Sequence, residues 1–363
     1  MMADLDLLYK PDADQAAARM EAYWHKAIID RAPILLTAPK PNPQPLPQSR
    51  HATLREQWMD IEFVATTGAV KMANTYWAGD GLPMWWPNLG PEILSACMGA
   101  PLTFGEDTSW STPTLHDWND IPILHIDPDN DYTRTLLAML RLGLELGKGK
   151  YVVGITDIHP GADLAASFRD PQQLCVDLMD APDRVHELNR QIFWAFFDFY
   201  ELQHRLLLDA GQTLTAGWAP LYCTDGRYYI PSCDFSILVS TEMFREFFLP
   251  EILAEVAWLD RSIYHLDGPG ALRHLDTLLD IPKLDGIQFV YGDGAKPAAR
   301  WIDVYQKIQA AGKTLHIILD PGEIDFFIEH LNPEGVMLQA EARSVAEADA
   351  ILAKIARWTR QRS

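Results

Sequence analysis

Four times between residues 262 and 360, an apolar run of strand length ends in a polar tip and passes into a helical pattern. The runs are 262–268 (Ser-Ile-Tyr-His-Leu-Asp-Gly), 286–294, 314–320 and 335–341. The helical patterns that follow them cover 269–280, 298–311, 321–331 and 344–360. One such unit is roughly 20–30 residues long, which suits successive βαβ steps of a parallel sheet. Four units at the C-terminal end of a 363-residue chain predict an α/β protein, and specifically a single (β/α)8 TIM barrel. A barrel of about 250 residues with insertions fits this length. In that fold the C-terminal ends of the strands carry the chemistry.

The upstream sequence fits the same plan. Strands are expected over 32–38, 150–157 and 213–218, and helices over 14–30, 53–78, 91–98, 132–148, 171–180, 183–209 and 241–260. Ser240 is a candidate N-cap for the last of these, and Asp163 for a short helix after the second strand. The Pro-rich stretch 39–48 follows the first strand and reads as a loop over the barrel mouth. No linker or charge run separates two domains, so the expected organisation is an N-terminal helical extension, 1–31, and a barrel, 32–363.

Several strand ends carry groups that could do chemistry. Residues i and i+2 of a strand share a face, so His265 and Asp267 project together where their strand stops. An imidazole beside a carboxylate can bind a metal or move a proton; a histidine merely satisfied by a neighbouring acid would leave the same trace. Asp157 and His159 repeat the spacing, as candidates to orient a substrate or shuttle protons. Asp293, Asp320 and Glu341 fall at three further strand ends. The loop 79–90 contains Trp85, Trp86 and Asn88, and Trp218 sits at another strand tip. Exposed indoles are costly in water, so these either pack on the barrel or line a ligand site, where cation–π contact would suit choline-like cations. Cys233, followed by Asp234 in a loop, could also face a pocket.

Charge narrows the partners. The formal net charge is −20, which argues against nucleic acid and against an anionic membrane surface. The apolar runs are too short to span a bilayer, and the acidic N-terminus lacks the pattern of a secretory signal. Four cysteines at 97, 175, 223 and 233 form no CxxC pair. Reduced thiols in a cytoplasmic protein are the simplest reading.

The stretches Gly154-Ile-Thr-Asp-Ile-His-Pro-Gly-Ala-Asp-Leu-Ala-Ala-Ser-Phe-Arg169, Cys233-Asp-Phe-Ser, Ser240-Thr-Glu-Met-Phe-Arg-Glu-Phe-Phe-Leu-Pro250 and Tyr264-His-Leu-Asp-Gly-Pro269 resemble the uroporphyrinogen decarboxylase superfamily, which includes cobalamin-dependent methyltransferases. The resemblance covers nearly the whole chain and implies a barrel with a deep cleft at the strand C-termini. The decarboxylases of that family carry an Arg-Gln-Ala-Gly-Arg loop after the first strand; here the position reads Ala38-Pro39-Lys40-Pro41-Asn42. They also keep an aspartate in the next loop, where this chain has Asn88. Anion recognition without arginine forks is weak. The methyltransferase branch holds zinc through His-x-Cys and a later cysteine. His265 matches the histidine, Asp267 stands at the first cysteine position, and the second falls near Glu341. The resemblance therefore implies a divalent metal, zinc first, on His265, Asp267 and Glu341, with methyl transfer to or from a corrinoid, thiol or folate. A corrinoid protein and a second subunit are the implied partners. The runner-up is a carboxy-lyase that would hold its acid with Lys40, Arg227 or Lys296, and the third reading is a non-catalytic binding barrel.

Overall fold

A computed structural model of the chain describes residues 5–119, 121–292 and 296–360. It is a mixed α/β protein built on a seven-stranded, mostly parallel sheet. The strands of that sheet, in chain order, are β1 (Ile34–Pro39), β2 (Thr75–Trp77), β3 (Tyr228–Tyr229), β4 (Arg261–Asp267), β5 (Gly286–Val290), β6 (Thr314–Ile318) and β7 (Val336–Glu341). Their spatial order is β2-β1-β7-β6-β5-β4-β3. Only β2 runs antiparallel to its neighbour. The four C-terminal strands lie where the repeat places them, each parallel to the next. The first and last strands of the parallel set also pair with one another, from Ile34 opposite Leu338 to Thr37 opposite Glu341.

The remaining extended segments are short. Met84–Trp85 pairs in parallel with Val152–Val153, and Thr215–Ala216 pairs antiparallel with Tyr222–Cys223. Backbone hydrogen bonds join these segments to one another, Gly154 N–H to Trp85 O (2.8 Å) and Ile155 N–H to Ala216 O (2.8 Å), and Asp80, in the loop before Met84, donates its N–H to Ile34 O of β1 (2.6 Å). Buried apolar residues fall into two separate clusters. The larger lies between strands and helices. The smaller holds Leu35, Val152, Ala216, Ile263 and Met337 from the strands with Ala13, Met20, Tyr23 and Trp24 from the helix Ala13–Trp24. That helix is alanine-rich, a strong local preference, and one face of it is buried. It is pinned by Tyr23 Oη donating to Leu315 O and Trp24 Nε1 to Tyr222 O (3.1 and 3.0 Å). It ends earlier than the expected residue 30, where Lys26 turns into left-handed backbone (φ 53°).

Two expected helices are broken for identifiable reasons. The segment 53–78 becomes Leu54–Met59 and Ile61–Asn74 followed by β2. Asp60 interrupts it by accepting from Phe63 N–H (2.9 Å) as an N-cap, and the β-branched and aromatic Thr-Tyr-Trp then pairs with β1. The segment 241–260 contains a π-turn at Phe244–Phe248 just before Pro250. Proline offers no N–H to the preceding turn, and a widened turn accommodates the missing bond. The helix expected over 183–209 is likewise two helices, Pro182–Ile192 and Ala195–Asp209. All four cysteines are free. No helix among the described residues is long and apolar enough to cross a membrane.

Candidate metal centre

Asp234, His265 and Asp267 each offer a ligand atom, and the three atoms lie within 4.8 Å of one another. His265 and Asp267 come from the same face of β4, at its C-terminal end. Asp234 comes from the 3-10 turn Asp234–Leu238, in a segment docked on β4 by His265 N–H to Pro231 O (2.9 Å). Asp163, in the first turn of the helix Gly161–Arg169, fixes that turn. Its carboxylate accepts from the N–H groups of Asp234 (3.0 Å) and Phe235 (2.7 Å). Asp163 thus holds the turn that carries Asp234 and is not the N-cap of its own helix, a position filled by Pro160.

A hydrogen-bonded row crosses the sheet from His265. His265 Nδ1 meets Gln288 Oε1 (2.5 Å), Gln288 Nε2 meets His316 Nδ1 (2.8 Å), and His316 Nε2 meets Gln339 Oε1 (2.8 Å). Register explains the row: His265 lies opposite Gln288 and Gln288 opposite His316. Burial lowers the His316 pKa to about 4, against its bond to Gln339 and with the charge of His265 as a lesser cause. His316 is therefore neutral and has one donor and one acceptor nitrogen. With Nδ1 accepting from Gln288 and Nε2 donating to Gln339, the Gln288 oxygen faces His265 and receives its Nδ1–H. His265 Nε2 is the ring nitrogen that the row leaves for a ligand, the arrangement of a metal-binding imidazole oriented from behind. The ring is also steadied by Trp218, edge-on at 5.0 Å between centroids.

His159 lies beside this group. Its Nε2 is 3.2 Å from Asp157 Oδ1, and its Nδ1 is 3.7 Å from both Asp163 Oδ2 and Asp234 Oδ2. Burial opposes its charge, but Asp157 and Asp163 outweigh burial and hold the imidazole well above its usual pKa. Asp157 and His159 are thus brought together as expected, with His159 as a cation among acids. Burial, together with the Asp163 charge, raises Asp234 to about 6, against the attraction of His159 and His265. Although 45% of the Asp234 side chain is exposed, its Oδ1 is buried and has no hydrogen-bond partner among the described residues. A buried carboxylate oxygen without a donor is costly, and a cation would satisfy it. An imidazole and two carboxylates are a donor set for zinc, iron or manganese.

Behind Asp163 lie two buried glutamates, Glu251 and Glu255, one helical turn apart. Burial pushes Glu251 up to about 8, opposed by a backbone N–H at Gly161 and aided by Asp163. Burial and the Glu251 charge hold Glu255 well above the carboxylate range. Gly161 has φ 59°, and a Cβ there would sit 2.8 Å from Glu251 Oε2. Gly161→Ala is therefore expected to destabilise the protein by at least about 1–2 kcal/mol, the cost of a left-handed non-glycine residue. Denaturant titration reads this as a lowered midpoint at unchanged slope.

The other sequence candidates are dispersed. Glu341, expected as the third ligand, is exposed at the end of β7 and is not part of the three-residue group; Asp234 takes that place. Asp320 is exposed at the start of the turn Pro321–Glu323 and donates its N–H to Glu323 Oε2 (3.1 Å). Asp293 lies outside the described residues. Cys233 is buried in the larger core cluster, and burial raises its thiol well above the usual range. Trp85 is buried too, wedged against Gly68 and Gly143. Asn88 accepts from Gly90 N–H (2.7 Å) and lines a cavity of about 370 Å³ with Trp86. Lys40 donates to Ala73 O (2.9 Å), and Arg227 pairs with Glu201 (2.9 Å). Sequence reasoning gave Asp163 only a capping role and passed over Gln288, His316, Gln339, Glu251 and Glu255. For the last five, the available signal was a polar residue inside an otherwise apolar strand or helix, with Glu251 and Glu255 also spaced i,i+4.

No protein-family model matches the chain, and no curated protein matches it either.

Proposed function

We propose that this protein is a metal-dependent, methyltransferase-like enzyme of the uroporphyrinogen decarboxylase type, with its centre at Asp234, His265 and Asp267. The observation that carries the metal site is the gathering of ligand atoms from Asp234, His265 and Asp267 within 4.8 Å of one another, with a buried Asp234 oxygen that has no hydrogen-bond partner among the described residues. Closure of the sheet into a (β/α)8 barrel belongs to this reading. It is supported by the pairing of β1 with β7, by backbone bonds that join the short segments, and by the division of buried strand residues between two apolar clusters. Methyl transfer itself rests on the family resemblance.

A bound divalent ion would supply Lewis acidity at this position, lowering the pKa of a thiol, hydroxyl or water. Asp163 would keep Asp234 in place, and the Gln288–His316 row would fix the tautomer of His265. His159 would hold a proton at the edge of the group, 3.7 Å from Asp234. In the transfer, the donor atom keeps the electron pair of the broken bond to carbon. The acceptor, having given up its proton, supplies the pair of the new bond. A corrinoid protein is a fitting donor or acceptor. A carboxy-lyase would need a cation for its substrate, and two of the three basic candidates, Lys40 and Arg227, are engaged elsewhere.

Assaying zinc-loaded protein with methylcobalamin and a panel of thiols tests the reading. Loss of the methyl-cobalt absorbance with formation of a thioether supports it. Release of carbon dioxide from added acids, without methyl transfer, would replace it with the lyase. Gln288→Leu is expected to weaken metal binding by about 10–100-fold, the usual effect of removing the partner behind a ligating histidine, as measured by zinc titration against a competing chelator.

A further inference from the structure

Adjoining the metal group is a cavity of about 320 Å³ whose walls include Trp77, Trp86, Trp218 and Met84. Gln339 and Glu341 also line it. It is joined to the centre in two ways. Trp218 stands edge-on to His265 at 5.0 Å, and Gln339 ends the hydrogen-bonded row that begins at His265. The three indoles are each half-buried, so ring surface remains available to an occupant. The volume is near the lower limit of ligand pockets, roughly 300–1,000 Å³, which selects a small molecule.

The charge in the cavity has one sign. Glu341 is the charged residue lining it, and no Lys or Arg among the described residues does. The Glu341 carboxylate makes no ion pair or hydrogen bond to another described residue. An anionic occupant would meet this charge with no basic group to offset it. A primary ammonium would need three acceptors held around one point; Thr37, Thr75, Gln339 and Glu341 bring polar atoms to the wall, while three indoles and Met84 face the same space with apolar surface. A methylated ammonium has the matching chemistry: it carries positive charge, presents methyl groups to ring faces, and needs few or no acceptors.

We infer that this cavity is the binding site for the methylated ammonium head group of a small substrate, with Trp77, Trp86 and Trp218 as the cage and Glu341 as its counter-charge. The inference deepens the function proposed above by naming the substrate class of that same cleft, and it rests on that reading only for the link to methyl transfer. It also gives Glu341 a role other than metal ligation.

Calorimetric titration of the whole protein with tetramethylammonium and choline tests it, with 3,3-dimethyl-1-butanol as the uncharged isostere of choline. Both cations are expected to bind, and the isostere at least about tenfold more weakly, the value of one desolvated cation–π contact. Glu341→Gln and, separately, Trp86→Leu should weaken choline by about the same factor, and Glu341→Gln should leave the isostere unchanged. Equal binding of isostere and choline would make the site a plain apolar pocket and overturn the inference. So would choline binding that is indifferent to Glu341→Gln, or no binding of either cation. Measuring zinc in the same samples separates the two readings. Choline binding by a protein that takes up no metal would remove the metal centre and leave the cage standing; metal uptake without cation binding would do the reverse.

Discussion

His265→Ala is expected to abolish stoichiometric metal retention. The wild-type protein, expressed with zinc and freed of excess, should carry about one equivalent. The variant keeps Asp234 and Asp267 but loses the only nitrogen in the group. Two carboxylates alone favour hard ions with several oxygen ligands over zinc. The fall in zinc affinity should exceed the 10–100-fold expected for the partner behind the ring. Folding should survive, because His265 is half-buried and its loss leaves Gln288 bonded to His316. Elemental analysis and chelator competition give the numbers, and circular dichroism checks the fold. Two companions decide the third ligand: Asp234→Asn should also lose metal, whereas Glu341→Gln should keep it. Zinc held one-to-one by His265→Ala would place the ion elsewhere. Loss in Glu341→Gln with retention in Asp234→Asn would restore the ligand set implied by the family resemblance.

That contrast shows how much of the site could be read from the chain. The parallel strands β4 to β7 were legible because both the apolar runs and the helical patterns between them are local signals. His265 and Asp267 were legible for the same reason, since a two-residue period fixes their common face. Asp234 was legible only as a substrate-binding candidate in the loop with Cys233, not as a ligand. Its approach to His265 depends on how the segment after β3 docks on β4, and on Asp163 holding the turn from 71 residues away. No local pattern encodes such a contact. Glu341 was implied as a ligand by the family resemblance, but its distance from β4 is set by the curvature of the sheet across three strands. The breaks at Asp60 and Pro250 were in the sequence, as a capping residue and a residue without an N–H, and helical periodicity on both sides concealed them.

Glu251→Gln is expected to flatten the pH dependence of stability. In the folded protein burial pushes Glu251 up to about 8 from an ordinary value of 4.5. Between those two values the unfolded chain has released the proton and the folded chain still holds it. Stability contributed by the protonated form is therefore complete below about pH 4.5 and is lost as pH rises through 8. The slope is about −1.4 kcal/mol per pH unit, and the loss approaches about 5 kcal/mol by pH 8. Glu255 has the same sign, since its pKa is also raised by burial and by Glu251. The amide introduced by Glu251→Gln keeps an acceptor for the Gly161 N–H and never ionises, so the variant should match the wild type near pH 5 and exceed it by several kcal/mol near pH 8. Urea denaturation at pH 5, 6.5 and 8 measures the combined effect of Glu251 and of its influence on Glu255, the other titrating groups being common to both proteins. Curves that stay parallel across that range would mean that Glu251 is ionised and solvated in the folded state. The buried acids behind Asp163 would then have no proton to hold, and the metal group would rest on a charged support where a neutral one is expected.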